Sequence, residues 1–334
     1  MGRSEPRGRD GSGVMRRDRA MADRREFLGW AAALAALGGR TSGSGTQEGV
    51  GAVPIVDTHV HLWDLSRFRL PWLEGGGPLA RDYLPGDYDE AAEGLGIVRA
   101  VYMEVDVDPA QHVQEAEYVI DLCRRRVGPL VGAVIGGRPA SEGFGAYLDR
   151  FRDHPEVKGV RQVLHGEGTP PGTCLAPEFV RGIRMLGERG LSFDLCMRPG
   201  ELRDASRLVD FCPETAIILD HCGNPSVQSA DLTAWRDDLA RLADRGNVAC
   251  KVSGIVASAA PGWTAEDLAP IVTHVLDRFG PDRVVFGGDW PVCTKAATLR
   301  QWVEALRQVV SERSEAERRA LFLDNARRIY RLEG

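Results

Sequence analysis

Val53-Pro54-Ile55-Val56-Asp57-Thr58-His59-Val60-His61 opens the part of the chain that can build a core. A β-branched apolar run of this length reads as a strand, and the residues after it decide what kind of sheet it starts. A nucleotide-binding open sheet would continue into G-x-G-x-x-G; this strand continues into Thr58-His59-Val60-His61, and no phosphate loop occurs elsewhere. Seven more short apolar runs follow, at 97–105, 130–135, 157–164, 191–197, 216–221, 248–253 and 283–289. Helical stretches separate them, at 109–126, 143–154, 177–189, 201–211, 231–245, 264–279 and 298–311, with a last helix at 314–330. Leu268, Ile271, Val272, Val275, Leu276 and Phe279 recur at three- and four-residue spacing, the signature of one buried helix face. Strands with near-continuous apolar cores belong to a parallel sheet covered on both faces. Alternation with no phosphate loop gives the fold expectation: α/β class, a single (β/α)8 TIM barrel over 53–334.

Composition fits one such domain with a leader to spare. The chain has 334 residues, 43% hydrophobic and 27% charged, which excludes collagen-like and wholly disordered chains. A formal net charge of −6 and only three lysines, Lys158, Lys251 and Lys295, leave no basic stripe to neutralise phosphates. Nucleic acid is therefore not an expected partner. The seven cysteines show no C-x-x-C or zinc-finger spacing and are odd in number, so they read as buried reduced thiols.

The leader carries its own signal. Asp23-Arg24-Arg25-Glu26-Phe27-Leu28 precedes an Ala-rich stretch of about ten residues, too short for the roughly 20 a membrane helix needs. Paired arginines ahead of a short apolar run resemble a twin-arginine export signal over residues 1–39, with an upstream extension before Met21. Residues 40–52 read as a flexible linker. The expectation is an exported, periplasmic or extracellular protein, or a cytoplasmic one should the segment not be read as a signal. No stable membrane span is expected beyond that segment, and the oligomeric state is left open.

In a barrel of this kind the chemistry sits at the C-terminal ends of the strands. There the sequence offers His59 and His61, Glu104 and Asp106, Arg161 and His165, Asp194, Asp220 and His221, Lys251 and Ser253, and Asp289-Trp290-Pro291. Two histidines two residues apart on a strand point to the same face. Imidazoles and a carboxylate converging from strands one, six and eight make either a zinc-type site or a general-base site. His112, His154 and His274 fall on helices or their ends and read as surface residues. The segment 67–88, with its run of three glycines, reads as a mobile loop over the site.

H-x-H, D-H-x-G and G-x-D-W-P in that order, with Gly159-Val160-Arg161 and Lys251-Val252-Ser253-Gly254 between them, resemble the amidohydrolase superfamily. Within it they are similar to the amidohydrolase-related family of sugar-lactone and pyrone-dicarboxylate lactonases and some metal-dependent decarboxylases. The resemblance implies a hydrolase acting on a cyclic ester, with a metal-dependent decarboxylase as the alternative. It implies Asp289 as general base toward water, and His59, His61 and His221 as the group that polarises the carbonyl. It implies either one divalent ion, zinc by its imidazole ligands, on His59, His61 and Asp289, or none. A bridging lysine at the end of strand four is missing, because Arg161 and His165 stand there and Lys158 lies at the strand's start. A small-molecule substrate would meet Arg161, Glu104, His165 and Trp290, with Arg161 offering a two-pronged grip on a carboxylate or polyol, or else pairing with Asp194.

Overall fold

The computed structural model describes residues 53–166 and 168–332, so the signal-like segment and the linker lie outside the described residues. Eight parallel strands form one sheet: β1 (Ile55–Val60), β2 (Ile97–Met103), β3 (Leu130–Gly136), β4 (Val157–Val163), β5 (Ser192–Cys196), β6 (Ile217–Leu219), β7 (Val248–Val252) and β8 (Val284–Phe286). Neighbours in the sheet are neighbours in sequence. A parallel bridge between Val60 and Trp290 joins the two edges. There the His61 amide donates to Trp290 O and the Asp289 amide to His59 O, each at 2.8 Å. The sheet closes into the expected (β/α)8 barrel, and each strand overlaps its sequence-based span.

Helices α1 (Pro85–Ala92), α2 (His112–Arg124), α3 (Phe144–Asp149), α4 (Pro177–Glu188), α5 (Leu202–Phe211), α6 (Thr233–Ala243), α7 (Ala265–Phe279) and α8 (Leu299–Val309) accompany the strands. The face read from spacing on α7 is the buried one: Leu268, Ile271, Val272, Val275 and Phe279 all lie in the main core, each worth about 1.5–3 kcal/mol on burial. Thr264 starts that helix, its own amide donating to Asp267 Oδ2 at 2.7 Å, which closes the first turn. A second, smaller cluster joins Val56, Val101, Val134, Ile218, Ala249 and Val285 to Leu323, Ala326 and Tyr330. Strand residues from opposite sides of a closed sheet can meet only inside it, so this cluster is the barrel interior, plugged by the C-terminal segment. All seven cysteines are buried and unpaired, as their spacing implied.

Three segments differ from the sequence reading. The stretch 67–88 is anchored rather than free: Phe68, Leu70, Leu73, Leu79, Tyr83 and Tyr88 are buried, and Trp63 pairs with Tyr83 in an antiparallel bridge. Helix α1 begins inside it and went unread because Tyr88 is its single buried residue, which leaves no periodicity to see. The last helix is also not uniform. Glu315–Arg319 forms α9 and Asn325–Ile329 forms α10, with one wide π turn, Ala320–Asp324, between them. Leu321, Phe322 and Leu323 are consecutive and all buried, the first two in the main core and Leu323 in the barrel interior. Finally, His112 is buried rather than exposed, packed at the start of α2. Among the described residues no helix is long and apolar enough to cross a membrane.

Candidate active site

The β1 strand delivers two imidazoles to one place. A register shift between Asp57 and Val60 turns the end of β1, and His59 Nε2 and His61 Nε2 come to 3.1 Å. Asp289, just past β8, puts Oδ1 3.6 Å from His59 Nε2 and 3.4 Å from His61 Nε2. From the end of β6, His221 brings its ring centre to 4.6 Å from that of His59. Residues more than a hundred positions apart therefore share one mouth of the barrel.

They open on a cavity of about 420 Å3. His61, His221, Asp289, Arg161 and His165 line it, with Trp72 and the side chains of Leu79, Val105, Val163 and Val292 as an apolar wall. His59 is fully buried and stands behind the lining. The backbone is strained at the same place: Asp106, His221, Asn224 and Asp289 all have positive φ, between 49° and 59°, and all four line the cavity. Such conformations persist where surrounding contacts impose them, and they gather at functional sites.

Two expected substrate contacts are not in the lining. Glu104 is fully buried, one carboxylate oxygen accepting from Arg161 Nε at 2.6 Å and the other from the Asp106 amide at 2.7 Å. Trp290 is buried among Tyr83 and Tyr88, edge-to-face with both rings at 5.4 Å. Arg161 pairs with Glu104, not with Asp194. Its Nε and Nη2 are both given to Glu104, the second to the backbone oxygen at 2.6 Å, which leaves Nη1 alone for other partners. The two-pronged grip on substrate read from sequence is therefore already committed inside the wall.

Several residues gained no role from sequence. Asp57 accepts from the Gly288 amide at 2.7 Å, from its neighbour's His59 amide at 3.0 Å and from Tyr88 Oη at 2.8 Å, tying β1 to β8 across the barrel seam. Gly288 is required there, since a Cβ would stand 2.3 Å from Asp57 Oδ2. Lys251 is fully buried between Asp194 Oδ1 at 2.8 Å and Asp220 Oδ1 at 2.9 Å. Asp194 also accepts from Tyr330 Oη at 2.6 Å, so the C-terminal segment braces the floor of the site. The sequence marked them as charges inside apolar strands, and Asp220 and Lys251 also as members of the motifs that carry the resemblance, without showing that they meet.

Burial sets the charges. It pushes His59 well below its ordinary value, assisted by Lys251, and pushes His221 down to about 4. Both rings are therefore neutral at physiological pH. Burial opposes the charge on Lys251, but the Asp194 and Asp220 carboxylates outweigh it and hold the ammonium charged. Behind the site Glu115 rises to about 8, first by burial and then by repulsion from Glu104, and its Oε2 has no partner. A carboxyl raised from 4.5 stabilises the fold below about pH 4.5 and loses that contribution as pH rises through about 8. Glu115→Gln, which keeps the acceptor for Tyr102 Oη and the Val105 amide, is therefore expected to gain stability relative to the parent across that window. Urea midpoints of the two proteins at pH 5 and pH 8.5 check it; an unchanged difference would remove the shift.

The donor atoms of His59, His61 and Asp289 are spaced for one small cation. Two ligands about 2.0–2.1 Å from a tetrahedral zinc stand about 3.3 Å apart, and the three separations here are 3.1, 3.4 and 3.6 Å. His61 is braced as a ligand would be, with Nδ1 on Met103 O at 3.0 Å. Lys158 reaches the backbone oxygen of Arg331, near the C-terminal end of the chain, so no lysine bridges a second ion at the end of β4.

The sequence profile of the amidohydrolase family matches residues 56–332, nearly all of the described chain. The chain belongs to the amidohydrolase family. This amidohydrolase is a hydrolase. It is 30% identical over 291 residues to an L-fucono-1,5-lactonase of Burkholderia multivorans, covering 83% of this chain and 96% of that one. A 4-sulfomuconolactone hydrolase of Rhizobium radiobacter is 28% identical over 70% of this chain and 75% of its own. Among solved structures, an amidohydrolase of Burkholderia multivorans with bound zinc superposes with a TM-score of 0.75 at 28% identity, covering 84% of this chain and 100% of that one.

Proposed function

We propose that this amidohydrolase opens the ring of a small lactone by attack of water on the ester carbonyl. The observation that carries the reading is one carboxylate, Asp289, set among three imidazoles at the mouth of a cavity large enough for a single ring. The kinship with lactone hydrolases supports it. A water between Asp289 and His61 gives its proton to the Asp289 carboxylate as its oxygen bonds to the carbonyl carbon. Negative charge grows on the carbonyl oxygen, and neutral His221, which lines the cavity, offers an N–H donor toward it; preorganised donors of this kind are commonly worth several kcal/mol. The ring C–O bond then breaks, the ring oxygen takes the proton back from Asp289, and a hydroxy acid leaves.

Arg161 Nη1 supplies one hydrogen-bond donor to a substrate oxygen, and His165 a second polar contact at the rim. Trp72, 43% exposed and held by Nε1 on Val105 O at 2.8 Å, presents an apolar wall to the ring. His59, His61 and Asp289 would hold a single divalent ion, whose chemistry would be to polarise the carbonyl and acidify a water. The export reading of residues 1–39 stands alongside as part of the same proposal, resting on Arg24-Arg25 and the short apolar run.

The test is a panel of sugar and carboxylated lactones in a weakly buffered pH-indicator assay, with evolved gas measured in parallel. One acid equivalent per ring, with no carbon dioxide, is the expected result. Carbon dioxide released from carboxylated rings, with every lactone left intact, would replace the reading by the decarboxylase alternative.

A further inference from the structure

Lys251 and Ser253 belong to the Lys251-Val252-Ser253-Gly254 stretch, and the ring-opening chemistry above uses neither. They sit two apart at the end of β7, so their side chains share one face of the strand. Each meets the rear nitrogen of a different active-site imidazole. Lys251 Nζ lies 3.2 Å from His59 Nδ1, and Ser253 Oγ lies 2.8 Å from His221 Nδ1. Gly254 completes the fit, since with φ of +65° a Cβ there would stand 2.3 Å from His221 Nδ1.

From these contacts we infer that Lys251 is a positioning residue that fixes His59 in its Nε2–H form. The argument is a count of donors and acceptors. His61 Nδ1 faces the carbonyl oxygen of Met103 at 3.0 Å, so it carries a proton and leaves His61 Nε2 as an acceptor. That acceptor stands 3.1 Å from His59 Nε2. Lys251 Nζ has only donors; one goes to Asp194 Oδ1 at 2.8 Å, Asp220 Oδ1 stands 2.9 Å away as an ion-pair partner, and another donor meets His59 Nδ1 at 3.2 Å. With the proton on His59 Nε2 the chain runs unbroken from Lys251 through His59 and His61 to Met103 O. With the proton on Nδ1, a donor faces a donor at 3.2 Å, two lone pairs face each other at 3.1 Å, and Asp220 Oδ1 is 3.6 Å away, too far to accept. One contact favours that second form, Arg161 Nη1 at 3.3 Å from His59 Nε2, and it is the longest of the set.

The consequence concerns both uses of the site. His59 is held as an N–H donor to His61 Nε2, which fixes the His61 ring at the cavity beside Asp289 where the proposed ring opening takes place, and this catalytic meaning rests on that reading. An ion on His59 Nε2 has to move that proton to Nδ1, where the donor Lys251 Nζ stands at 3.2 Å and Asp220 Oδ1, at 3.6 Å, lies beyond hydrogen-bond length. Lys251 therefore tilts the site toward its metal-free form and weakens capture of a cation.

The experiment is a long-range 1H–15N spectrum of the histidine rings in the 15N-labelled full chain after dialysis against a chelator. His59 is assigned from the signal lost in His59→Gln. The expected result is a His59 proton on Nε2 with Nδ1 in the range of an unprotonated, hydrogen-bonded nitrogen; a proton on Nδ1 overturns the inference. Zinc titration of folded Lys251→Met is expected to show binding tightened by about tenfold or more, the worth of one strong hydrogen bond. An unchanged zinc affinity in the folded variant also overturns it. Because the wild-type spectrum needs no substitution of Lys251 and no substrate, it fails or holds separately from the lactone assay.

Discussion

Replacing Asp289 by Asn is expected to lower kcat for lactone opening by about 100- to 10,000-fold while the melting temperature stays close to the parent value. The size follows from the role: an amide cannot take the proton of the attacking water, and removing a positioned base costs a factor of that order. The stability half follows from the backbone. Asp289 has φ of 53°, a left-handed conformation that Asn adopts as readily as Asp and that most other side chains do not. Asn also preserves the side-chain volume beside His59 and His61. Alanine at this position would confuse lost chemistry with backbone strain, so the asparagine variant is the informative one. Steady-state kinetics on the best lactone, with a thermal melt, decide it. A kcat equal to the parent's would take Asp289 out of the mechanism and leave the cavity as a binding site.

The barrel was legible from the sequence because a parallel strand buried on both faces has no polar alternation to hide it. Val248-Ala249-Cys250-Lys251-Val252 reads as a strand even with a lysine in it. The same property concealed the lysine's meaning. In the sequence Lys251, Asp194 and Asp220 are three isolated charges at three strands; only the side-by-side pairing of β5, β6 and β7 brings Lys251 within 3 Å of each acid. His59, His61, His221 and Asp289 were easier, because each lies at the strand end where chemistry is expected. Glu104 and Arg161 also lie at strand ends, yet they turned to each other: Glu104 is buried in the wall, and Arg161, which lines the cavity, spends two of its three nitrogens on it. A strand end names the layer a residue occupies. It does not name the partner.

That pairing sets the second large expectation. Arg161→Ala should cost about 3–5 kcal/mol of stability, because it strands Glu104 as an unpaired buried charge. The pair is at 2.6 Å with side-chain exposures of 5% and 0%, so solvent can do little to replace the lost partner. Among the described residues the neighbourhood offers no substitute cation, for the nearby acid Glu115 is itself pushed up to about 8, by burial first and then by Glu104, and Arg161 is the cation that counters both. Glu104→Gln strands the opposite charge less severely, since Asp220 Oδ2 still lies 3.6 Å from Arg161 Nη1. The double variant should then be more stable than the two single losses added together, by about 0.5–3 kcal/mol of coupling. Urea unfolding of the four proteins closes the cycle; an Arg161→Ala cost below about 1 kcal/mol, with additive effects, would contradict a buried ion pair. Kinetics on the same set separate the two roles of the arginine. Glu104→Gln keeps Nη1 at the cavity, so its KM should stay within about threefold of the parent, whereas Arg161→Ala, which removes that donor, should raise KM by about tenfold, or 1.4 kcal/mol.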